Sequence, residues 1–168
     1  MKISASEILL RIPAFIEGLI VELKRLKIDL SGLNIDHVCY RVSTAEEYQQ
    51  LCLEFTQLGR LLSEATVNGR PISTFKLRNL IGPDKYQTNI IEVPFPGKKA
   101  YPSGLEHAEF LLAEDLKSFA LRHPLVSWDL EGLKKSINPE LVLRLDSARV
   151  VKLHQKSLEE IINLENAE

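Results

Sequence analysis

The clearest pattern in the hydrophobic and polar positions is a short segment that the chain contains twice. Residues 35–41 read IDHVCYR and residues 105–111 read LEHAEFL, so both begin with an aliphatic residue, an acid and a histidine. A segment with acidic residues, typical of a helix start, follows each copy at 43–47 and at 113–115. Because internal similarity constrains architecture before local propensity does, we predict two copies of one unit, each opening with a strand that carries an inward-facing histidine.

A helix is predicted at the N-terminus, outside the two units. Residues 4–7 have the spacing of a capping box, and apolar residues then recur at helical spacing as far as Leu23. Pro13 has no amide hydrogen and clashes with the preceding turn of a helix, so we expect a break or kink near Ile12. The extension 1–30 is therefore predicted to contain N-terminal helices that pack against the rest of a single domain.

The first unit, at residues 31–96, is predicted to open with a strand and a helix. Residues 35–42 alternate as a strand does. The period of two puts one set of side chains on one face and the intervening set on the other: His37, Cys39 and Arg41, against Asp36, Val38 and Tyr40. A helix is expected from 44 to 58, and we expect Gly59 to end it because glycine tolerates the left-handed cap conformation.

Three more strands complete the first unit. They are predicted at 60–66, 72–77 and 87–93. Asn68 and Gly69, between the first two, are typical of a hairpin turn in which both residues have positive φ. The resulting order is βαβββ, and the proline-rich stretch 94–102 is interpreted as the linker to the second unit.

The second unit, at residues 97–168, is predicted to repeat that order. Its elements are a strand at 104–112, a helix near 115–122, short strands near 126–130 and 142–145, and a last strand at 149–154. A capping box at 157–160 begins a C-terminal helix. The fold class predicted for the chain is α+β.

Composition excludes several kinds of partner. The chain has 21 basic and 23 acidic residues among 168, with no long basic block, which argues against nucleic acid or an anionic membrane as the main partner. Two cysteines suit a reduced compartment better than a disulfide framework. Charged residues interrupt the N-terminal apolar segment, so it is predicted to be neither signal peptide nor membrane span. We expect a soluble cytoplasmic protein.

The closing strands carry a second set of polar positions. Residues 90–93 read IIEV and residues 150–153 read VVKL, so Lys152 takes the place of Glu92, and His154 follows on the same face. If opening and closing strands are neighbours, one concave surface collects three imidazoles, two carboxylates and two cations: His37, Arg41, Glu92, His107, Glu109, Lys152 and His154. Burying so many ionisable groups is costly unless they pair or bind a ligand, and imidazole with carboxylate suits Zn, Fe(II), Mn or Ni.

At this point the sequence resembles a known superfamily. The doubled βαβββ unit, with a histidine on each first strand and Glu92 closing the first unit, is similar to the vicinal oxygen chelate superfamily of glyoxalases, bleomycin-resistance proteins and extradiol dioxygenases. More closely, the chain resembles the YecM family. The segments that carry the closer resemblance are 61–64, 68–72, 75–77, 92–94, 104–107 and 152–161.

The resemblance implies a cupped mixed sheet that holds a divalent metal, with His37, Glu92 and His107 as ligands. The superfamily pattern usually adds a carboxylate on the last strand, whereas Lys152 stands there and a cation repels a metal. Either His154 or Glu109 can take the place of that carboxylate, and His154 is therefore one of the candidate ligands. The metal can be Zn, Mn, Fe or Ni, and the resemblance supplies no substrate.

The residues leave competing interpretations open. His37 and His107 can be core histidines, Glu92 can pair with Arg41 or Lys152, and Lys152 can pair with Glu109. The leading hypothesis is a metal-dependent enzyme of isomerase, lyase or oxidoreductase type acting on a small oxygen-bearing substrate, with catalytic Glu109, Arg41 and Lys152.

Two alternatives to an enzyme remain. One is a non-catalytic protein that sequesters a small molecule in a charged, metal-free pocket. The other is a salt-bridge network that organises a partner-binding surface. The partner expected under the leading hypothesis is a small molecule rather than nucleic acid or membrane. A monomer is favoured, because the added N-terminal helix can cover the surface by which superfamily relatives pair.

Overall fold

The computed structural model of the chain describes residues 3–146 and 149–166, which form a mixed α+β fold. The helices and strands follow one another in the order α1 (Ala5–Arg25), β1 (Leu33–Arg41), α2 (Ala45–Leu58), β2 (Gly59–Val67), β3 (Arg70–Ile81), β4 (Thr88–Pro94), β5 (Gly104–Leu112), α3 (Leu116–Arg122), β6 (Glu140–Arg144), β7 (Val150–His154) and α4 (Leu158–Glu165). A 3-10 turn, Glu131–Lys134, precedes β6. The predicted α+β class is confirmed.

The strands form one open, cupped mixed sheet in the order β2-β3-β4-β1-β5-β7-β6. The two opening strands, β1 and β5, are antiparallel neighbours at its centre. On either side each opening strand pairs in parallel with the closing strand of its own unit, β1 with β4 and β5 with β7. The adjacency of opening and closing strands, which the concave polar surface requires, is therefore present in both halves.

The N-terminal extension forms one helix rather than several. The capping box of Ser4 and Glu7 is present at its start, as predicted. The predicted break near Pro13 is wrong, because α1 runs without interruption from Ala5 to Arg25. Ile8, Ile12 and Ile16 are fully buried on either side of the proline. At roughly 2 kcal/mol for each buried side chain, this stripe offsets the ~3 kcal/mol that an internal proline costs.

The hairpin between β2 and β3 has the predicted turn. Asn68 and Gly69 have φ values of 52° and 76°, and the flanking residues Val67 and Arg70 are paired. A turn with two positive φ values matches the right-handed twist of the adjoining strands. It also fixes the register of β3, which determines which of its side chains face the concave surface.

The prediction of a second strand in the second unit, at 126–130, is wrong. This segment makes an isolated bridge in which Asp129 and Val142 exchange two backbone hydrogen bonds, and the 3-10 turn follows at once. Trp128 packs instead on Phe119 of α3, with ring centroids 5.9 Å apart. Aromatic burial against the helix thus replaces strand pairing, and the second half contributes three strands to the sheet.

Gly59 ends α2 as predicted, but for a different reason. Its φ is −165°, so it is extended rather than left-handed, and it begins β2. A Cβ built on Gly59 would lie 2.1 Å from the carbonyl oxygen of Lys76 on β3. The position is therefore a close approach of two backbones.

Gly59→Ala is expected to lower the free energy of unfolding by about 2 kcal/mol or more, because the β2–β3 pair must separate to admit the methyl group. Gly32→Ala is the matched control, since a Cβ there meets nothing within 4 Å. Urea denaturation of both variants measures the difference. Equal stability of the two variants would contradict the close approach.

No helix in the described ranges is long and apolar enough to cross a membrane.

Candidate metal centre

Each opening strand has a local irregularity beside its histidine. Pairing between β1 and β5 shifts between Ile35 and His37, which leaves Asp36 as an extra residue on β1. It shifts again where His107 pairs with Cys39 and Leu105 with Tyr40, which leaves Glu106 as an extra residue on β5. Extra residues of this kind bend a strand and re-aim its side chains, and they are frequent next to functional sites.

The irregularities bring each acid to the histidine that follows it. Asp36 Oδ2 lies 2.8 Å from His37 Nδ1, and Glu106 Oε2 lies 3.4 Å from His107 Nδ1. The prediction that Asp36 faces away from His37 is therefore wrong, because strict alternation fails at the extra residue. A carboxylate on Nδ1 fixes the ring and leaves Nε2 pointing onward.

The Nε2 atoms of His37 and His107 converge on two carboxylates. His37 Nε2 lies 3.5 Å from both Glu92 Oε2 and Glu109 Oε1. His107 Nε2 lies 3.8 Å from Glu92 Oε2 and 3.3 Å from Glu109 Oε1. Strand register explains the cluster, because Glu109 is opposite His37 in the β1–β5 pair and Cys39 is opposite both Glu92 and His107.

Glu109 is the most connected member of the cluster. Besides the two histidines, its Oε1 accepts a hydrogen bond from Lys152 Nζ at 2.8 Å. Its Oε2 lies 3.1 Å from His154 Nε2. The Lys152–Glu109 pair, one of the alternatives left open by the sequence, is thus present, and Lys152 faces the site across the β5–β7 pair where its partner in register is Glu109.

His154 occupies an adjoining position rather than the centre. Its Nδ1 makes a hydrogen bond with the backbone carbonyl of Lys156, and its Nε2 lies 3.8 Å from Asp36 Oδ2. It belongs to a second group of possible ligands, with Asp36 and His37. His154 therefore lies in the polar cluster, but it is not a member of the group of possible ligands formed by His37, Glu92, His107 and Glu109.

Arg41 lies at the rim. Its Nη1 makes a 2.7 Å hydrogen bond with Glu106 Oε1, and its guanidinium carbon lies 4.1 Å above the centroid of the Tyr101 ring. Arg41 therefore fixes Glu106, which in turn contacts His107, and no pair between Arg41 and Glu92 is formed in the described part of the chain. Cys39 is buried beside Glu106 and His107, and neither of the two cysteines is in a disulfide.

The cluster is a network of opposite charges. Burial lowers the pKa of His37, but the charges of Glu109 and Glu92 outweigh burial and raise that pKa well above its ordinary value. Burial raises the pKa of Glu109, yet the neighbouring His37 and Lys152 hold that pKa well below its ordinary value. Likewise burial lowers the pKa of Lys152, but Glu109, Glu140 and Glu92 together raise that pKa above its ordinary value. In the protein alone, these groups are therefore charged and mutually compensating.

The donor set fits a divalent cation. One ligand atom from each of His37, Glu92, His107 and Glu109 can be chosen so that all four lie within 4.8 Å of one another. The Nε2 atoms of His37 and His107 are buried and have no hydrogen-bond partner among the described residues, despite the nearby carboxylates. Two imidazoles with carboxylates are ligands that Zn, Fe, Mn and Ni accept. Buried polar atoms are nearly always satisfied, so two convergent unsatisfied nitrogens, each able to ligate through its lone pair, favour an ion between them.

An open cavity of about 450 Å³ borders the cluster. Its lining includes His107 and Lys152 together with residues of β6 and the 3-10 turn, so the cluster is reached from this side of the sheet. Arg70, from the β2–β3 hairpin, lines the same cavity. A small molecule in it would contact the cluster at one end.

Sequence reasoning found most of the cluster but missed Asp36 and Glu106. Both acids precede a histidine in the duplicated segment, so their repetition was the signal that could have identified them. The period of a β-strand concealed this signal, because it assigns neighbouring residues, such as an acid and the histidine after it, to opposite faces of the sheet.

Comparison with known proteins agrees with the fold. The family model described as YecM protein matches residues 4–165. The chain is 34% identical over 176 aligned positions to protein YecM of Escherichia coli (strain K12), covering 93% of this chain and 91% of that protein. It is 36% identical over 90 positions to an uncharacterised protein of Haemophilus influenzae, covering 53% of this chain and 47% of that protein. A solved structure titled "Structural Genomics, Protein EC4020" superposes with a TM-score of 0.79 at 33% identity, covering 95% of this chain and 92% of that one.

The fold and the site define an α+β protein in which one face of a cupped mixed sheet carries a buried cluster of histidines and carboxylates. Within that class, the match over 162 consecutive positions from 4 to 165 and the identity to the E. coli protein show that the chain belongs to the YecM family.

Proposed function

We propose that the protein binds one divalent metal ion through His37, Glu92, His107 and Glu109, and a small oxygen-bearing substrate in the adjacent cavity. The observation that carries this proposal is the pair of buried Nε2 atoms, both unsatisfied and both directed at the same two carboxylates. Metal ligation satisfies all four groups at once. Without it, two buried nitrogen atoms have no partner among the described residues, at a cost of about 1–3 kcal/mol each.

The proposed chemistry follows the vicinal oxygen chelate superfamily, which the doubled unit supports. A metal bound here would act as a Lewis acid on substrate oxygens. Lys152, hydrogen-bonded to Glu109 at the cavity wall, holds negative charge that develops on the substrate. Glu92 or Glu109 accepts a proton, since both are kept ionised by the surrounding cations. Isomerase, lyase or oxidoreductase reactions fit this arrangement.

Metal titration tests the proposal. The protein is stripped with a chelator, dialysed, and titrated with Zn²⁺, Mn²⁺, Ni²⁺ and, without oxygen, Fe²⁺, while bound metal is measured by elemental mass spectrometry. Near-stoichiometric binding of at least one of these ions is expected. If none of these ions is retained above the level seen with a control protein that binds metal only non-specifically, the metal proposal is wrong.

A second candidate function is a metal-free pocket that sequesters an organic anion. The favouring observation is the 2.8 Å Lys152–Glu109 pair, which already neutralises one of the four proposed ligands. In this alternative, protonated His37 and His107 serve as cations that compensate Glu92 and Glu109. Ligand binding that is unchanged by a chelator, with no turnover, would support it over the first candidate.

Asp36 is expected to act as a positioning residue for His37. Asp36→Asn should weaken metal binding by about 10- to 100-fold, because the carboxylate on Nδ1 orients the ring and raises its basicity. Competition against a chromophoric chelator measures the affinity. His37 remains in place in this variant, so a loss of affinity reports its orientation.

The control for Asp36→Asn is Asp115→Asn. Asp36 also accepts a hydrogen bond from the Leu158 amide at the start of α4, and Asp115 accepts a comparable bond from the Ser118 amide at the start of α3. Asp115→Asn removes the same charge beside a helix start, and it should leave metal affinity unchanged. An equal drop in affinity in both variants would show that the effect is structural.

A further inference from the structure

The cavity beside the metal centre is lined by charged side chains, and the acids among them already have partners. Glu140 pairs with Lys135 at 2.7 Å, Glu131 with Lys134 at 2.8 Å, and Asp129 with Arg144 at 3.9 Å. Glu106 is bound to Arg41, and Lys152 is bound to Glu109. Pairing accounts for every carboxylate of the lining that the structure describes.

Arg70 is the cation of this lining with no carboxylate partner among the described residues. It is half-buried, at the first position of β3, and its Nη1 would be 3.5 Å from a Cβ placed on Gly97 of the linker. The guanidinium therefore lies close to the linker. A partly desolvated cation without a counter-ion favours an anionic ligand.

Strand register places Arg70 on the same face of the sheet as the metal centre. Thr74 is the partner of Glu92 in the β3–β4 pair, and pairing along β3 is regular from Arg70 to Thr74. Residues four apart on a regular strand share a face, so Arg70 and Glu92 both face the concave surface. The Cα atoms of Arg70 and Thr74 are separated by about 13 Å along the strand.

We infer that the ligand of this cavity is an elongated anion, with metal-binding oxygens at one end and a carboxylate or phosphate group at the other that Arg70 binds. The inference rests on the proposed function and adds the class of substrate to it. Guanidinium binds either group through two parallel hydrogen bonds, whereas an uncharged end leaves the arginine unpaired. The spacing along β3 favours a ligand whose two charged ends are several atoms apart.

A pair of probes that differ only in the distal group tests the inference. 2-Oxoglutarate and 2-oxopentanoate share the oxo-acid head and chain length, but only the first has a distal carboxylate; 3-phosphoglycerate supplies a distal phosphate. Binding to the metal-loaded full chain is measured by calorimetry. The wild-type protein should bind a distally charged probe roughly 10- to 100-fold more tightly than 2-oxopentanoate. Comparison of 2-oxoglutarate with 3-phosphoglycerate distinguishes carboxylate from phosphate.

Variants assign that preference to the arginine. Arg70→Gln should abolish it while leaving metal content and affinity for 2-oxopentanoate unchanged, because Arg70 is not a ligand in the proposed centre. Arg78→Gln, on the same strand but outside the cavity, is the matched control and should retain the preference. Equal binding of charged and uncharged probes by the wild type, no binding of any probe, or a preference that survives Arg70→Gln overturns the inference. Metal content is measured on the same samples, so failure of the metal proposal is detected separately.

Discussion

Replacing both His37 and His107 by alanine is expected to abolish metal binding, with a loss of affinity greater than about 100-fold. Removal of residues that only orient ligands costs 10- to 100-fold, and removal of two of four ligands must cost more. The carboxylates Glu92 and Glu109 remain in the variant, but two close carboxylates alone bind transition metals weakly. Elemental mass spectrometry after dialysis measures the loss, with Zn²⁺ as the first ion to test.

The same double variant should also be less stable than the wild type in the absence of metal. Glu92 and Glu109 keep their charges in the folded protein because His37 and its neighbours compensate them, so removing both imidazoles leaves buried negative charge uncompensated. We expect a loss of about 3 kcal/mol in the free energy of unfolding. Circular dichroism at low temperature establishes that the variant is folded before metal is measured.

His123→Ala is the control for the double variant. His123 is buried like the other two, but it hydrogen-bonds to the Asp29 amide and the Phe119 carbonyl beside α3, outside the cluster. This variant should lose some stability and retain full metal binding. Retention of metal by the double variant, or loss of metal in His123→Ala, would show that His37 and His107 are not the ligands.

Lys152→Met is expected to change metal affinity and stability in opposite directions. In the metal-free protein the change leaves Glu109 without its cation, and since Lys152 is partly exposed we expect a loss of about 2 kcal/mol in the free energy of unfolding. In the same variant the positive charge that competes with the metal is absent. A divalent ion should therefore bind about tenfold more tightly than in the wild type. Thermal denaturation with and without metal measures both effects.

The matched control is Lys76→Met. Lys76 makes a 2.7 Å pair with Glu159 and is exposed to a similar extent, but it lies away from the metal centre. Its replacement should lower stability slightly, with no rescue by metal. If Lys152→Met is destabilised and added metal restores nothing, Lys152 is the permanent counter-ion of Glu109, and the metal-free pocket becomes the better explanation.

Several features of the site were predictable from the sequence because they depend on local geometry. The duplicated aliphatic–acid–histidine segment identified His37 and His107, and alignment of the closing strands identified Glu92 and Lys152. The period of a strand is fixed by the backbone, and the Asn68-Gly69 turn leaves little freedom of register. The neighbouring arrangement of opening and closing strands was only a condition of that interpretation, and the sheet order meets it.

Other features depended on contacts between distant parts of the chain. The contact of Asp36 with His37 requires an extra residue in β1 where it pairs with β5, about seventy positions away. The central role of Glu109 requires that β1, β5 and β7 lie side by side. Neither the composition of a strand nor its alternation specifies where pairing shifts by one residue.

The sequence by itself determined the α+β class, the doubled unit and the residue types available for a metal centre, because each follows from periodicity, turn chemistry or internal repetition. Tertiary structure decided that α1 continues through Pro13, that 126–130 is not a strand, and that Arg70 lines the cavity without a carboxylate partner among the described residues. These outcomes depend on burial and on pairing across the sheet. Packing free energy summed over many contacts outweighs a local preference of a few kcal/mol, and that sum exists only once the chain is folded.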